Sequence, residues 1–137
     1  MKKMKARLSI LLLAVLAVSC ASHKEVEKKQ EMIQITSDTE NYELFVGQKI
    51  SYVGTVHGSV GIQKECSSDD EAVVKLIDKD FKYVKPLVDG ETGGDRATET
   101  YTFEAISEGK ATITIEDWFR GELESKRKVK ISVANKP

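Results

Sequence analysis

The chain is 137 residues long, with 21 Lys+Arg against 22 Asp+Glu and a formal net charge of −1, so it lacks the basic excess that nucleic-acid binding requires. At 40% hydrophobic residues it can support one modest core, and with two cysteines, Cys20 and Cys66, it cannot be a disulfide-dense scaffold.

The first element is "MKKMKARLSILLLAVLAVSC". Lys2, Lys3, Lys5 and Arg7 precede an apolar run from Leu8 to Val18, the charge and length pattern of a secretory signal and too short for a membrane-spanning helix. Its "AVSC" end resembles the lipobox of bacterial lipoproteins, which implies cleavage before Cys20 and a lipid on that residue, although Ala17 stands where Leu is commonest. The expected organisation is a signal peptide over 1–19, a lipidated cysteine with a charged tether over 20–30, and one domain over 31–137. The expected location is the bacterial cell envelope, periplasmic or surface-exposed, with the membrane contacted through the lipid. Removing residues 1–19 takes away four of the 21 basic residues and no acidic one, leaving 17 against 22 and a formal charge of −5. Cys66 is then the single remaining cysteine, without a disulfide partner, and it reads as a buried apolar filler.

From Met32 onward the dominant period is two. "MIQIT" and "YELFV" lead, "QKISYVGTV" follows a turn at Gly47, "GIQKEC" follows "HGSVG", and "EAVVKLI" follows "SSDD". After a polar middle come "ATETYTFEAI", "KATITIE" and "KRKVKISVA", the last two separated by "DWFRGELE". Proline occurs only at Pro86 and Pro137, so every candidate central strand keeps its amide donors. The pattern predicts an all-β fold, an immunoglobulin-like antiparallel β-sandwich of seven or eight strands. Tyr101, Phe103, Ala105, Ala111, Ile113, Ile115, Val129, Ile131 and Val133 are the expected core.

No catalytic constellation is present: there is no GxSxG, HExxH, CxxC or phosphate-binding glycine loop. Asp69, Asp70 and Glu71 read as a solvated turn, since their spacing is not that of a calcium loop. Neither His23, in the tether, nor His57 is placed to activate Cys66. The expectation is a binding protein, with no catalytic residue, cofactor or metal.

From "LFVGQKISYVGTV" to the C-terminus the chain resembles the chagasin family of cysteine-protease inhibitors. "VGQKI" is similar to the opening of that family's second strand, "TGGDRATETYTFEAISEGKATITIE" to its Gly-Gly loop and the strands that follow, and "DWFRG" stands where the family carries Arg-Pro-Trp. The resemblance spans roughly residues 42–135. It implies an immunoglobulin-like sandwich with three loops at one end that plug a papain-like cleft. Carried onto this sequence, the partner-binding residues are His57, Gly58, Ser59, Val60 and Gly61 in the first loop, Thr92, Gly93, Gly94 and Asp95 in the second, and Asp117, Trp118, Phe119 and Arg120 in the third. The family's first loop reads Asn-Pro-Thr-Thr-Gly, of which only the closing glycine matches here, and Arg120 is displaced from the family's arginine position. The implied partner is a cysteine protease, met by a monomer.

Trp118 and Phe119 are expected at the tip of a hairpin, where large rings facing water would serve as an interface anchor, the alternative being that Trp118 folds back as a lid over the end of the core. The alternative class is a bacterial immunoglobulin-like adhesion module, which "SSDDEAVVKLID" and "EGKATITI" also resemble. No internal repeat of the kind those modules show is present. Whether the three loops meet at one end separates the two readings.

Overall fold

A computed structural model describes residues 31–137. The signal-like segment, Cys20 and the tether lie outside the described residues. Eight strands follow one another: β1 (Ile33–Gln34), β2 (Asn41–Phe45), β3 (Lys49–His57), β4 (Ile62–Ser68), β5 (Val74–Tyr83), β6 (Arg96–Ala105), β7 (Gly109–Phe119) and β8 (Glu122–Ala134), with one turn of 3-10 helix at Gly58–Val60.

Pairing runs β2-β8-β7-β4 and then β3-β6-β5, with β1 added on β3. The two halves touch through a single ladder pair, His57 with Ile62, so the ribbon folds there into two facing layers. Inward side chains of both layers make one core, in which Leu44, Ile50, Val74, Phe103, Ile113, Val129 and Ile131 are essentially inaccessible. All nine core residues expected from the alternation are buried. Full burial of side chains of this size contributes roughly 1.5–3 kcal/mol each; Cys66 is a buried free thiol.

The fold departs from the expected pattern in two places. Two edge pairings are parallel rather than antiparallel, β1 with β3 and β2 with β8. The chain crosses from one layer to the other between β1 and β2, so each short strand lies beside one of its own direction. The polar middle also contains strand: β5 continues six residues past Ile77. Leu76 pairs with Phe103 and Asp78 with Thr102, so Ile77 is a bulge that moves the face shared with Tyr101 from Val74 and Leu76 to Lys79, Phe81 and Tyr83, which lie beyond the core and are exposed. A strict period of two breaks at that point, and the strand reads as loop.

Candidate partner-binding end

β3 runs away from the N-terminal end of the domain and finishes at His57, where three connections converge. The β3–β4 connection is Gly58–Gly61. It is exposed and joins two strands as expected, but as a turn of 3-10 helix rather than irregular loop, closed by Gly61 at φ 88°. A bend this tight needs the left-handed conformation that glycine adopts without strain. The β5–β6 connection is the exposed segment from Val84 to Asp95, in which Val84, Leu87 and Val88 are more than half exposed.

The third connection is shorter than expected. β7 extends through Phe119, and the turn consists of Arg120 and Gly121 alone, both at positive φ, 51° and 84°. That is the two-residue turn whose twist matches a hairpin, in which glycine or asparagine usually occupies both places. Trp118 and Phe119 therefore close a strand instead of standing at a tip, and both are half-buried. Trp118 pairs with Gln63 on one side and Leu123 on the other. It shares the outer face of its sheet with Glu116, two residues earlier. The Glu116 carboxylate, held below its usual range mainly by Lys126, is also lowered by the indole N–H, yet that N–H is buried without a hydrogen bond of ordinary geometry.

Hydrogen bonds tie the three connections together. Asp95 accepts the Ser59 amide N–H at 2.6 Å on Oδ2 and the Ser59 hydroxyl at 2.6 Å on Oδ1. His57 Nε2 lies 2.9 Å from Asp95 Oδ1 and 3.3 Å from the Gly93 carbonyl. On the other side the Arg120 amide donates to the Gly61 carbonyl at 2.8 Å. A Cβ on Gly61 would stand 2.9 Å from Arg120 Cγ, so the arginine stem rests on the glycine while its guanidinium stacks 5.0 Å from the Phe119 ring centre. The Ser59 bonds hold the Asp95 carboxyl below its usual range.

Just under these loops the inward positions turn polar. Lys64 on β4 pairs with Asp117 on β7, and Ser125 Oγ donates to the same carboxylate at 2.6 Å. Burial opposes both charges, but the mutual bond overrides it: the Asp117 carboxyl is lowered and the Lys64 ammonium raised from their ordinary values. Gly54 on β3 leaves the space that the Lys64 stem fills. Tyr101 Oη lies 2.6 Å from both the Lys64 carbonyl and Glu99 Oε2, and burial together with Glu99 pushes its phenol far up. Burial likewise raises the Cys66 thiol to about 12. Beside this layer a groove of about 410 Å³ opens between the edge of β4 and the overhanging β5, with Val56, Ile62, Phe81 and Tyr83 along it.

The structure thus gathers the sequence-predicted residues at one end and divides them in role. Gly58, Ser59, Val60, Thr92, Gly93, Gly94 and Arg120 are exposed. His57, Gly61, Asp95 and Asp117 are taken up by contacts inside the protein, and Trp118 and Phe119 are partly covered. The apolar run Val84, Leu87 and Val88 was missed because a polar-rich segment hid it; three large aliphatic residues between charges were the available signal.

No family model and no curated protein sequence matches the chain. Solved structures do. The chain is similar to the cysteine protease inhibitor EhICP2 from Entamoeba histolytica, with a TM-score of 0.58 and 13% identity over 76% of this chain and 95% of that one. It is also similar to amebosin, with a TM-score of 0.53 and 13% identity over 76% of this chain and 99% of that one. The fold is the one these two structures share, an immunoglobulin-like β-sandwich.

Proposed function

We propose that the protein is a cysteine-protease inhibitor that seats its three-loop end in the active-site cleft of a papain-like enzyme, contributing no catalytic group of its own. The observation that carries this is the convergence of the three connections, hydrogen-bonded through Asp95 with Ser59 and through Arg120 with Gly61. Two glycine-containing loops whose backbones can approach a partner closely lie side by side, with the exposed Arg120 beyond the first of them. Arg120 adds a second support. A non-glycine residue in the left-handed region costs roughly 1–2 kcal/mol, and such strain concentrates at functional sites. The inhibitor fold of EhICP2 supports the same reading. A spacer module of the adhesion type has no use for three coupled loops at one end.

The protein acts, in this proposal, as a monomeric envelope lipoprotein held through Cys20. β1 pairs at the Ile50 end of β3, opposite His57, so an N-terminal anchor would leave the binding end pointing away from the membrane. At ~3.3 Å per residue, the nine residues of β3 separate the two ends by about 30 Å. Titrating the purified domain against a panel of papain-like proteases tests the inhibitory role, with competitive inhibition expected and inactivity across the panel refuting it. Cys20→Ser is expected to release the protein from the membrane fraction or leave it unprocessed; normal retention with normal cleavage would refute the anchor.

A further inference from the structure

We propose that Asp95 is a positioning residue, a clasp that fixes the second loop against the first so that the binding end is preorganised before any partner arrives. Its importance for binding rests on the inhibitor reading above; the clasp itself does not. The second loop is twelve residues long, from Val84 to Asp95, and contains no strand or helix. Val84 bonds to Arg96 across its base, and Glu91 donates to Val88 within it. Among the described residues, the hydrogen bonds from Lys85–Asp95 to another element are those that Asp95 and Gly93 make with His57 and Ser59.

The geometry suits a clasp better than a partner contact. Both carboxylate oxygens of Asp95 are occupied, one by the Ser59 amide and the other by the Ser59 hydroxyl and the His57 ring. Gly58 permits the approach: a Cβ there would stand 3.2 Å from Oδ2, closer than most side chains tolerate. The first loop is thus the middle member of the three, held to the second by Asp95 and to the third by the Gly61 carbonyl. A twelve-residue loop free to move would lose conformational entropy on binding, and fixing it beforehand removes that cost. Asp95 therefore acts on affinity through the shape of the second loop.

The test compares wild type with Asp95→Ala, Asp95→Asn and Ser59→Ala. Amide hydrogen exchange is read at Glu91, in the loop, and at Ile113 and Ile131, in the core. Asp95→Ala is expected to speed exchange at Glu91 at least tenfold while the core amides keep their protection. Asp95→Asn, which still offers an oxygen to the Ser59 amide, and Ser59→Ala, which keeps that amide bond, should fall between the two. Unchanged exchange at Glu91 in Asp95→Ala overturns the clasp. For a papain-like enzyme that the wild type inhibits, stopped-flow association should show Asp95→Ala weakening binding at least tenfold, with a slower on-rate. A loosened loop with unchanged affinity and on-rate overturns the positioning role. If the loop loosens as expected and wild type inhibits no protease, the clasp stands and the inhibitor reading fails.

Discussion

Replacing Asp117 by alanine tests the polar layer beneath the three-loop end. Lys64 retains 16% side-chain exposure and Asp117 35%, so the pair is mostly but not wholly withdrawn from water. Removing one partner of a fully buried pair costs about 3–5 kcal/mol because the other charge is stranded. With a third of the carboxylate in solvent and a lysine stem able to swing outward, about half of that is expected, roughly 2 kcal/mol. In a domain of this size that lowers the Tm by about 10 °C. Urea and thermal denaturation of Asp117→Ala, Lys64→Met and the double variant Lys64→Met with Asp117→Leu form the assay. The double variant should recover most of the loss, since an apolar pair of similar volume replaces a buried ion pair at little net cost. The pH dependence follows from the shifts. The lowered Asp117 carboxyl contributes stability that is present above its ordinary value of 3.8 and lost as pH falls through the lower folded value. The raised Lys64 ammonium contributes stability present below its ordinary value of 10.5 and lost as pH rises through the higher folded value. The contribution is therefore flat from about pH 5 to 9. An Asp117→Ala variant as stable as wild type, or single-variant losses that simply add in the double variant, would refute this account of the layer.

Further outcomes are expected elsewhere. Trp118→Phe removes the indole N–H together with part of a half-buried ring; denaturation should show a loss of about 1 kcal/mol from the reduced apolar burial, and a gain in stability would contradict any contribution of the ring to packing. Gly61→Ala places a Cβ at φ 88° and 2.9 Å from Arg120 Cγ; chemical denaturation should show a loss of roughly 2–3 kcal/mol, from left-handed strain plus displacement of the arginine. Arg120→Gly relieves the strain at φ 51° and should raise stability by about 1 kcal/mol while weakening protease binding, a trade-off readable by denaturation and inhibition assays on one preparation. Cys66, with its thiol raised to about 12, should resist a thiol reagent at pH 8 until the protein is unfolded; labelling of the native protein within minutes would contradict its burial.

The alternation of Tyr101, Phe103 and Ala105 with polar residues marks the core face of β6, although Thr102 on the opposite face is buried as well, and the same alternation marks the core face of β7 and β8. What defeated sequence reading was a change of phase or of medium. The bulge at Ile77 inverts the set on the face shared with Tyr101, so Phe81 and Tyr83 no longer continue the rhythm of Val74 and Leu76. Lys64, Glu99 and Asp117 occupy inward positions yet are charged, and period alone assigns such residues to solvent; only the partner on the neighbouring strand, Asp117 for Lys64 and Lys79 for Glu99, shows why they are inside. The position of the three loops could be read from spacing, but their linkage could not, because Ser59 and Asp95 are 36 residues apart. Alternation in "KATITIE" and "KRKVKISVA" on either side of "DWFRGELE" predicts a tip that contains the aromatic pair. A two-residue turn consumes only Arg120 and Gly121, which leaves both rings on the strand.

In the proposed role the loop end occludes a protease cleft as a preformed surface. That role is tested most directly by steady-state inhibition of papain-like enzymes by the purified domain at several substrate concentrations, with recovery of the inhibitor afterwards. Reversible inhibition competitive with substrate is expected, with an intact inhibitor chain and weakened inhibition by Arg120→Gly in a fully folded protein. Inhibition that is indifferent to substrate concentration and to Arg120, or none at all from the folded domain, would contradict that role.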